Sequence, residues 1–148
     1  MGILAENKRG LFDAQTMETW DAGIVLSGAE VKSCRKKSVN FQGSYVSYGE
    51  NERSLILKNF FIGAYQEKNQ PGYNPKRPRQ LLLHKKEVDE IRGKMAQKGL
   101  TVIPAKIYTH GGLIKVQLAL VKPRKKYDKR ERIKKRETKR QMERALKG

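Results

Sequence analysis

The densest set of charged groups in this chain is "KYDKRERIKKRETKRQMERALKG", from Lys126 to Gly148. If Asp128–Lys147 is set on a helix, Lys129, Arg132, Arg136, Lys139, Arg140 and Lys147 fall within an arc of roughly 100° on a rod roughly 30 Å long. Only Glu143 interrupts that arc. Ammonium and guanidinium groups in such an array bind phosphate oxygens, a chemistry of charge pairing without bond making. The acid-to-base spacings Asp128→Arg132, Glu131→Lys135 and Glu143→Lys147 each support a helix by about 0.2–0.5 kcal/mol. The segment nonetheless lacks an apolar stripe: Ile133 stands alone, and Met142, Ala145 and Leu146 make a weak patch at the end. A helix that is polar all round is marginal in water. The tail is therefore expected to be largely disordered or fraying when free and to fold on a polyanion that relieves its repulsion. A solvated, solubilising tail is the competing reading, against which stand the one-sided arc and the basic domain behind it.

Other chemistry is sparse. Only His84 and His110 are available as bases near neutral pH, and His110 has no acid nearby in sequence. There is no Walker loop, GxGxxG, HExxH or CxxC, so no enzyme is expected. The single cysteine, Cys34, excludes an intrachain disulfide framework and a thiolate zinc site, and it suits a reducing cytoplasm; no metal or cofactor is expected. Met1–Ala5 carries too short an apolar patch for a signal peptide. No apolar run reaches membrane-spanning length, and the tail lacks the Trp, Phe or Leu face of a membrane-surface helix. The formal net charge is +18 over 148 residues. Lys122–Gly148 holds 14 Lys and Arg against 4 Asp and Glu, so this short segment supplies over half the excess. Such a balance requires a polyanionic partner.

The elements that must position these groups are mostly strands. Trp20, Ala22, Ile24 and Leu26 alternate on one face. Ala29–Lys37 reads as a short helix of about two turns. Ser44–Tyr48 and Ser54–Tyr65 read as paired strands with a turn over Gly49–Glu52. Gln66–Arg79, with Pro71, Gly72, Asn74, Pro75 and Pro78, reads as an exposed loop. The strongest helix signal has Val88, Ile91 and Met95 in phase. It places His84 at the N-cap with Glu87 at N3, as in a capping box, and Gly99 as the stop. Leu100–Thr109 and Leu113–Val121 form a hairpin around His110-Gly111-Gly112, with an edge or bulge at Pro104. Five strands with a helix between the third and fourth match a small antiparallel OB-fold barrel. A β-sandwich of similar size is the rival. The expected division is a barrel over 1–122 and a basic tail over 123–148.

Six segments in order, "ENKRG", "DAGIVLSGAEVKS", "GSYV", "RPRQLLLHKKEV", "KGLTVIPAKIY" and "KKYDKRE", resemble the SsrA-binding protein (small protein B) family, from about Glu6 to Gly148. The resemblance implies an OB-fold core and no catalysis. It further implies an RNA-binding adaptor of trans-translation, which holds the tRNA-like domain of transfer-messenger RNA and brings it to ribosomes stalled without a stop codon. The tail would enter the empty messenger channel near the decoding centre. By position, the resemblance places Asn7, Lys8, Arg9, Asp21, Glu30, Lys32, Arg79, Leu82, His84 and Lys85 at the tRNA-like domain. It places Lys125, Lys126, Tyr127, Asp128, Lys129, Arg130, Arg132, Arg136, Lys139 and Arg140 at the ribosome. The implied partners are transfer-messenger RNA and the small ribosomal subunit, with no membrane and a free monomer. Asp21 stands where the family usually has Glu, Pro123-Arg124 where it has Gly-Lys, and Cys34 where it has Leu. On the residues alone, His84 is an N-cap before it is an RNA contact, and Tyr73 and Tyr127 are candidates for base stacking. A ribosomal or ribosome-assembly protein with an OB-fold and a basic extension is the alternative.

Overall fold

Pairing between distant segments builds the protein. The structure, a computed structural model, describes residues 2–48, 54–66 and 70–124, together with 136 and 140. In chain order the elements are β1 (Gly2–Glu6), α1 (Lys8–Phe12), β2 (Ala14–Ile24), α2 (Gly28–Arg35), β3 (Val39–Asn40), β4 (Tyr45–Tyr48), β5 (Leu55–Lys58), β6 (Phe61–Ile62), β7 (Arg79–Leu82), α3 (Lys85–Met95), β8 (Thr101–His110) and β9 (Leu113–Pro123). One antiparallel sheet runs in the order β1-β8-β9-β2-β7-β5-β4, and β3 pairs with β6 beside it. The last strand, β4, packs back against β8, so the sheet rolls toward closure. The architecture is mainly β, with few helices, as expected.

The five expected strands are present, and four short ones accompany them. β1 adds to the outside of β8, with Ile3 opposite Tyr108 and Glu6 opposite Lys106. The run expected as one strand over Ser54–Tyr65 divides into β5 and β6. Asn59 takes φ 58° there, a left-handed conformation that Asn tolerates and that ends the ladder. β7 begins at Arg79, the last residue of what reads as a loop, and runs to Leu82, so a strand stands between that loop and α3. Helix α3 begins at Lys85 behind His84, whose backbone N–H donates to Glu87 Oε1 at 3.3 Å. It closes at Met95, a turn earlier than Gly99 suggests; Gly99 lies in the following turn at φ 82°. The β8–β9 hairpin turns on Gly111 and Gly112 at φ 57° and 79°, which the two-residue connection requires. A bulge between Pro104 and Lys106 meets the expectation at Pro104. The expected Gly49–Glu52 turn lies outside the described residues.

The core fills the rolled sheet. Trp20, Phe41, Phe60, Leu55, Leu57, Ile107, Val116 and Leu118 pack within it, and α3 contributes Val88 and Ile91. A second cluster forms on the outer surface, where Ala14, Ala105, Ala119 and Val121 receive Leu11 of α1. Three alanines there allow the helix to lie close to the sheet. β9 continues to the edge of the described body: Pro123 is opposite Ala14, and the Arg124 N–H donates to the Asp13 carbonyl at 3.2 Å.

Candidate nucleic-acid interface

Beyond α1, the outer face of the sheet leaves Asp21, Val25 and Leu82 exposed and Lys106, Lys115 and Gln117 half-buried, with Tyr108 buried beneath them at 5% exposure. Asp21 is exposed there, and Tyr108 Oη donates to Asp21 Oδ1 at 2.7 Å across β9. Register places Lys115 opposite Tyr108 and Gln117 opposite Asp21 on the same face. The Lys106 ammonium lies 5.5 Å from the Tyr108 ring centre. Burial, and then the Asp21 carboxylate, push the Tyr108 phenol up to about 12, so it remains a donor at any ordinary pH. Leu82 is 53% exposed and Val25 is 45% exposed on this side. Leu82 sits over Gly23, where an added Cβ would meet the Leu82 Cβ at 3.2 Å. The face thus combines apolar contact, the Asp21 carboxylate, which can recognise base edges, and lysines for phosphate. His84 and Lys85 follow Leu82 and are exposed at the start of α3.

A buried charge cage fixes the neighbouring loop. Ser27 caps α2, accepting from the Glu30 N–H at 3.2 Å, while Glu30 Oε1 accepts from the Ser27 N–H at 3.0 Å. Glu30 Oε2 receives Arg79 Nε at 2.7 Å and Arg77 Nε at 3.1 Å, and Arg77 Nη2 bonds Oε1. Arg79 also donates to the carbonyls of Phe60 at 2.6 Å and Pro75 at 3.0 Å. The Tyr73 hydroxyl accepts from Arg79 at 3.1 Å and lies 3.0 Å from both Glu30 Oε2 and the Ile62 carbonyl. Burial raises the Glu30 pKa, but the bonds from Arg77, the Ser27 backbone and Arg79 prevail and hold it at about 2. Glu30 and Arg79 are 1% and 0% exposed, so in this conformation their own atoms are not presented to a partner. They position Arg77 and residues 73–79 instead. Tyr73, a stacking candidate from sequence, has its hydroxyl committed to the same cage.

Asn7 holds a third region. Its side chain accepts from the Gly10 N–H at 3.0 Å, capping α1, and donates to the Pro104 carbonyl at 2.9 Å beside the bulge. A Cβ at Gly10 would meet the Asn7 amide at 2.5 Å, so only glycine fits there without a shift. Lys8 and Arg9 are exposed on α1. They border an open cleft of about 580 Å³ that also reaches Phe41 and Gln42. Asn7→Ala is expected to destabilise the protein by about 2 kcal/mol through the lost cap and the unpaired Pro104 carbonyl. Urea unfolding checks this; an unchanged midpoint would remove Asn7 from the fold's support.

Lys32 is exposed on α2, away from the cage contacts of Glu30. In the tail, Arg136 and Arg140 are helical and exposed, and the Arg136 guanidinium lies 5.2 Å from the Phe12 ring centre on α1. Lys125, Lys126, Tyr127, Asp128, Lys129, Arg130, Arg132 and Lys139 lie outside the described residues. Reading from residues alone passed over Tyr108, Arg77, Tyr65 and Ser27. The Ser27-x-x-Glu30 spacing is a capping-box signal in the sequence; the others carry none, because their partners are far away in the chain.

Fold and site together define a small antiparallel β-barrel protein whose outer face carries lysines beside exposed Asp21 and Leu82. The family model described as "SmpB protein" matches residues 4–148. The chain belongs to the SmpB family. It is 46% identical to the SsrA-binding protein of Thermosipho melanesiensis over 100% of both chains. It is 47% identical to that of Fervidobacterium nodosum, over 99% of this chain and 98% of the relative. A solved chain described as "tmRNA-SmpB: a journey to the center of the bacterial ribosome" aligns at TM-score 0.70 and 41% identity, covering 82% of this chain and 85% of that one.

Proposed function

We propose that this protein is a noncatalytic RNA-binding adaptor of trans-translation. The barrel, spanning residues 1–122, holds the tRNA-like domain of transfer-messenger RNA and delivers it to stalled ribosomes. The basic tail, 123–148, reaches the messenger channel beside the decoding centre, so that incomplete proteins are tagged for degradation. The observation that carries this reading is the exposed sheet face around Asp21 and Leu82, with Asp21 held from below by the buried Tyr108, in a chain whose relatives are SsrA-binding proteins. Leu82, His84 and Lys85, with Asp21, form the reading surface, and Lys8, Arg9 and Lys32 add phosphate contacts. Asn7, Glu30 and Arg79 act by holding the backbone that carries these groups. The cytoplasm is the expected setting; among the described residues no helix is long and apolar enough to cross a membrane.

The test is binding of the tRNA-like domain against bulk tRNA as competitor. Wild-type protein is expected to select the tRNA-like domain. Leu82→Glu, which sets a carboxylate where the face meets RNA, is expected to weaken binding by about tenfold or more with the fold intact, a loss of about 1–3 kcal/mol. Equal competition by bulk tRNA, or no effect of Leu82→Glu, would overturn the reading of this face. Resistance of ribosome-bound protein to high-salt washing would favour the structural ribosomal alternative.

A further inference from the structure

Helix α2 ends in a concentration of positive charge organised around one aromatic ring. The Lys36 ammonium lies 4.8 Å, and the Lys32 ammonium 5.3 Å, from the centre of the Tyr65 ring. The two lysines are four residues apart, so they share one face of the helix and repel each other. Lys37 closes the helix at φ 63°, and Arg35 reaches across to the Gly112 carbonyl at 3.3 Å. Among the described residues no ion pair neutralises Lys32, Arg35, Lys36 or Lys37. The one carboxylate built into α2, Glu30, is buried in the cage with Arg77 and Arg79.

The ring is held in place. The backbone N–H groups of Tyr65 and Gln66 both donate to Gln70 Oε1, at 2.8 and 3.3 Å. Tyr65 is half-buried, and both lysines are exposed. An aromatic ring whose backbone is tied down, flanked by two exposed cations with no acid partner among the described residues, suits single-stranded nucleic acid bound without sequence reading. The base stacks on the ring, and the ammoniums pair with the flanking phosphates. A contact between an exposed ammonium and a tyrosine ring is weak, so a phosphate readily draws both lysines away and opens the ring.

The geometry points to a second RNA contact: Tyr65 stacks on an unpaired base of the bound RNA while Lys32 and Lys36 take the adjacent phosphates. This rests on the reading of the chain as an RNA-binding adaptor and adds a site outside the Asp21–Leu82 face. Its ligand is an unpaired ribonucleotide step; the partner of that other face is a folded RNA domain.

The test uses the full-length protein and a single-stranded oligoadenylate of about eight nucleotides, within the span one such barrel covers, followed by fluorescence anisotropy over a salt series. Tyr65→Phe keeps the ring and is expected to bind as wild type. Tyr65→Leu is expected to bind about tenfold more weakly with an unchanged salt slope, the loss of one stacked base. The double change Lys32→Gln, Lys36→Gln is expected to lower the slope by about 1.4, the value for two phosphates on a single strand. Wild-type affinity for Tyr65→Leu would reduce the site to simple charge and overturn the proposal. A second readout needs no variant: an oligoadenylate with one 4-thiouridine, photocrosslinked to wild-type protein, is expected to mark the peptide containing Tyr65, and labelling confined to other peptides would equally overturn it. Binding of the tRNA-like domain by the same preparations separates the two ideas. If wild type fails to select that domain, the adaptor reading falls; if it selects normally and Tyr65→Leu is silent, only this site falls.

Discussion

Glu30→Ala is expected to lower the unfolding free energy by about 3–5 kcal/mol, the usual result of removing one partner of a buried ion pair. The reason is the state of Arg79 after the change. Its guanidinium is fully buried, and its only described carboxylate partner is Glu30. Two carbonyls and the Tyr73 hydroxyl would remain around it, enough for its hydrogen bonds but not for its charge. The Ser27 capping box would lose its return bond at the same time. A domain of this size has about 5–15 kcal/mol in total, so the variant should unfold at much lower urea. The loss should also show in binding, since Arg77 and residues 73–79 would no longer be held.

The same carboxylate sets an acid limit. Its folded pKa of about 2 lies below the ordinary value of 4.5. A depressed carboxylate contributes stability that is present above the unfolded value and lost as pH falls toward the folded one. Urea midpoints should therefore drop between roughly pH 5 and pH 2, with about 3 kcal/mol attached to this group. Glu30→Gln should be less stable at neutral pH and show a shallower acid decline. Parallel acid curves for wild type and Glu30→Gln would show that other carboxyl groups set the limit.

A chain ending at Arg124 is expected to lose ribosome rescue while keeping selective binding of the tRNA-like domain. That end point preserves all of β9 and the Arg124 bond to Asp13. The removed residues 125–148 hold 12 Lys and Arg against 4 Asp and Glu. Charge of that kind contributes affinity in proportion to the phosphates it neutralises and carries no sequence information. The truncated protein should thus bind the tRNA-like domain within about tenfold of the full chain, with a flatter salt dependence. Peptide transfer to transfer-messenger RNA on ribosomes stalled at a truncated message should fall to background. If selectivity over bulk tRNA disappears with the tail, the barrel is not the reader and the division of labour proposed above fails.

The parts of this molecule that were legible in sequence are those whose signals are local. The alternation through Trp20 and Ala22, the phase of Val88 and Ile91, and the Gly111-Gly112 turn each act over a few residues, and each placed its element correctly. The splitting of Ser54–Tyr65 depended on one asparagine taking a left-handed conformation, which composition does not announce. β1 and β7 are short and find their partners 100 or more and 22 or more residues away in sequence, so no local period marks them. The cage shows the limit most clearly. Glu30 meets Arg77 and Arg79 across separations of 47 and 49 residues, and only the resemblance singled it out. It assigned Glu30 to RNA, and the burial of that carboxylate between two arginines is a feature that position in a motif does not reveal.

The attachment of the tail to β9 has a mechanical side. β9 is the middle strand of three, with long ladders to β8 and β2 on either hand. A pull on the tail is therefore delivered along a strand clamped on both edges, and both ladders share the load in shear. Had the tail left from β4, at the end of the hydrogen-bonded order, the same tension would open pairs one at a time. A protein whose basic arm is gripped while its barrel carries an RNA cargo can thus transmit force between the two without being unzipped.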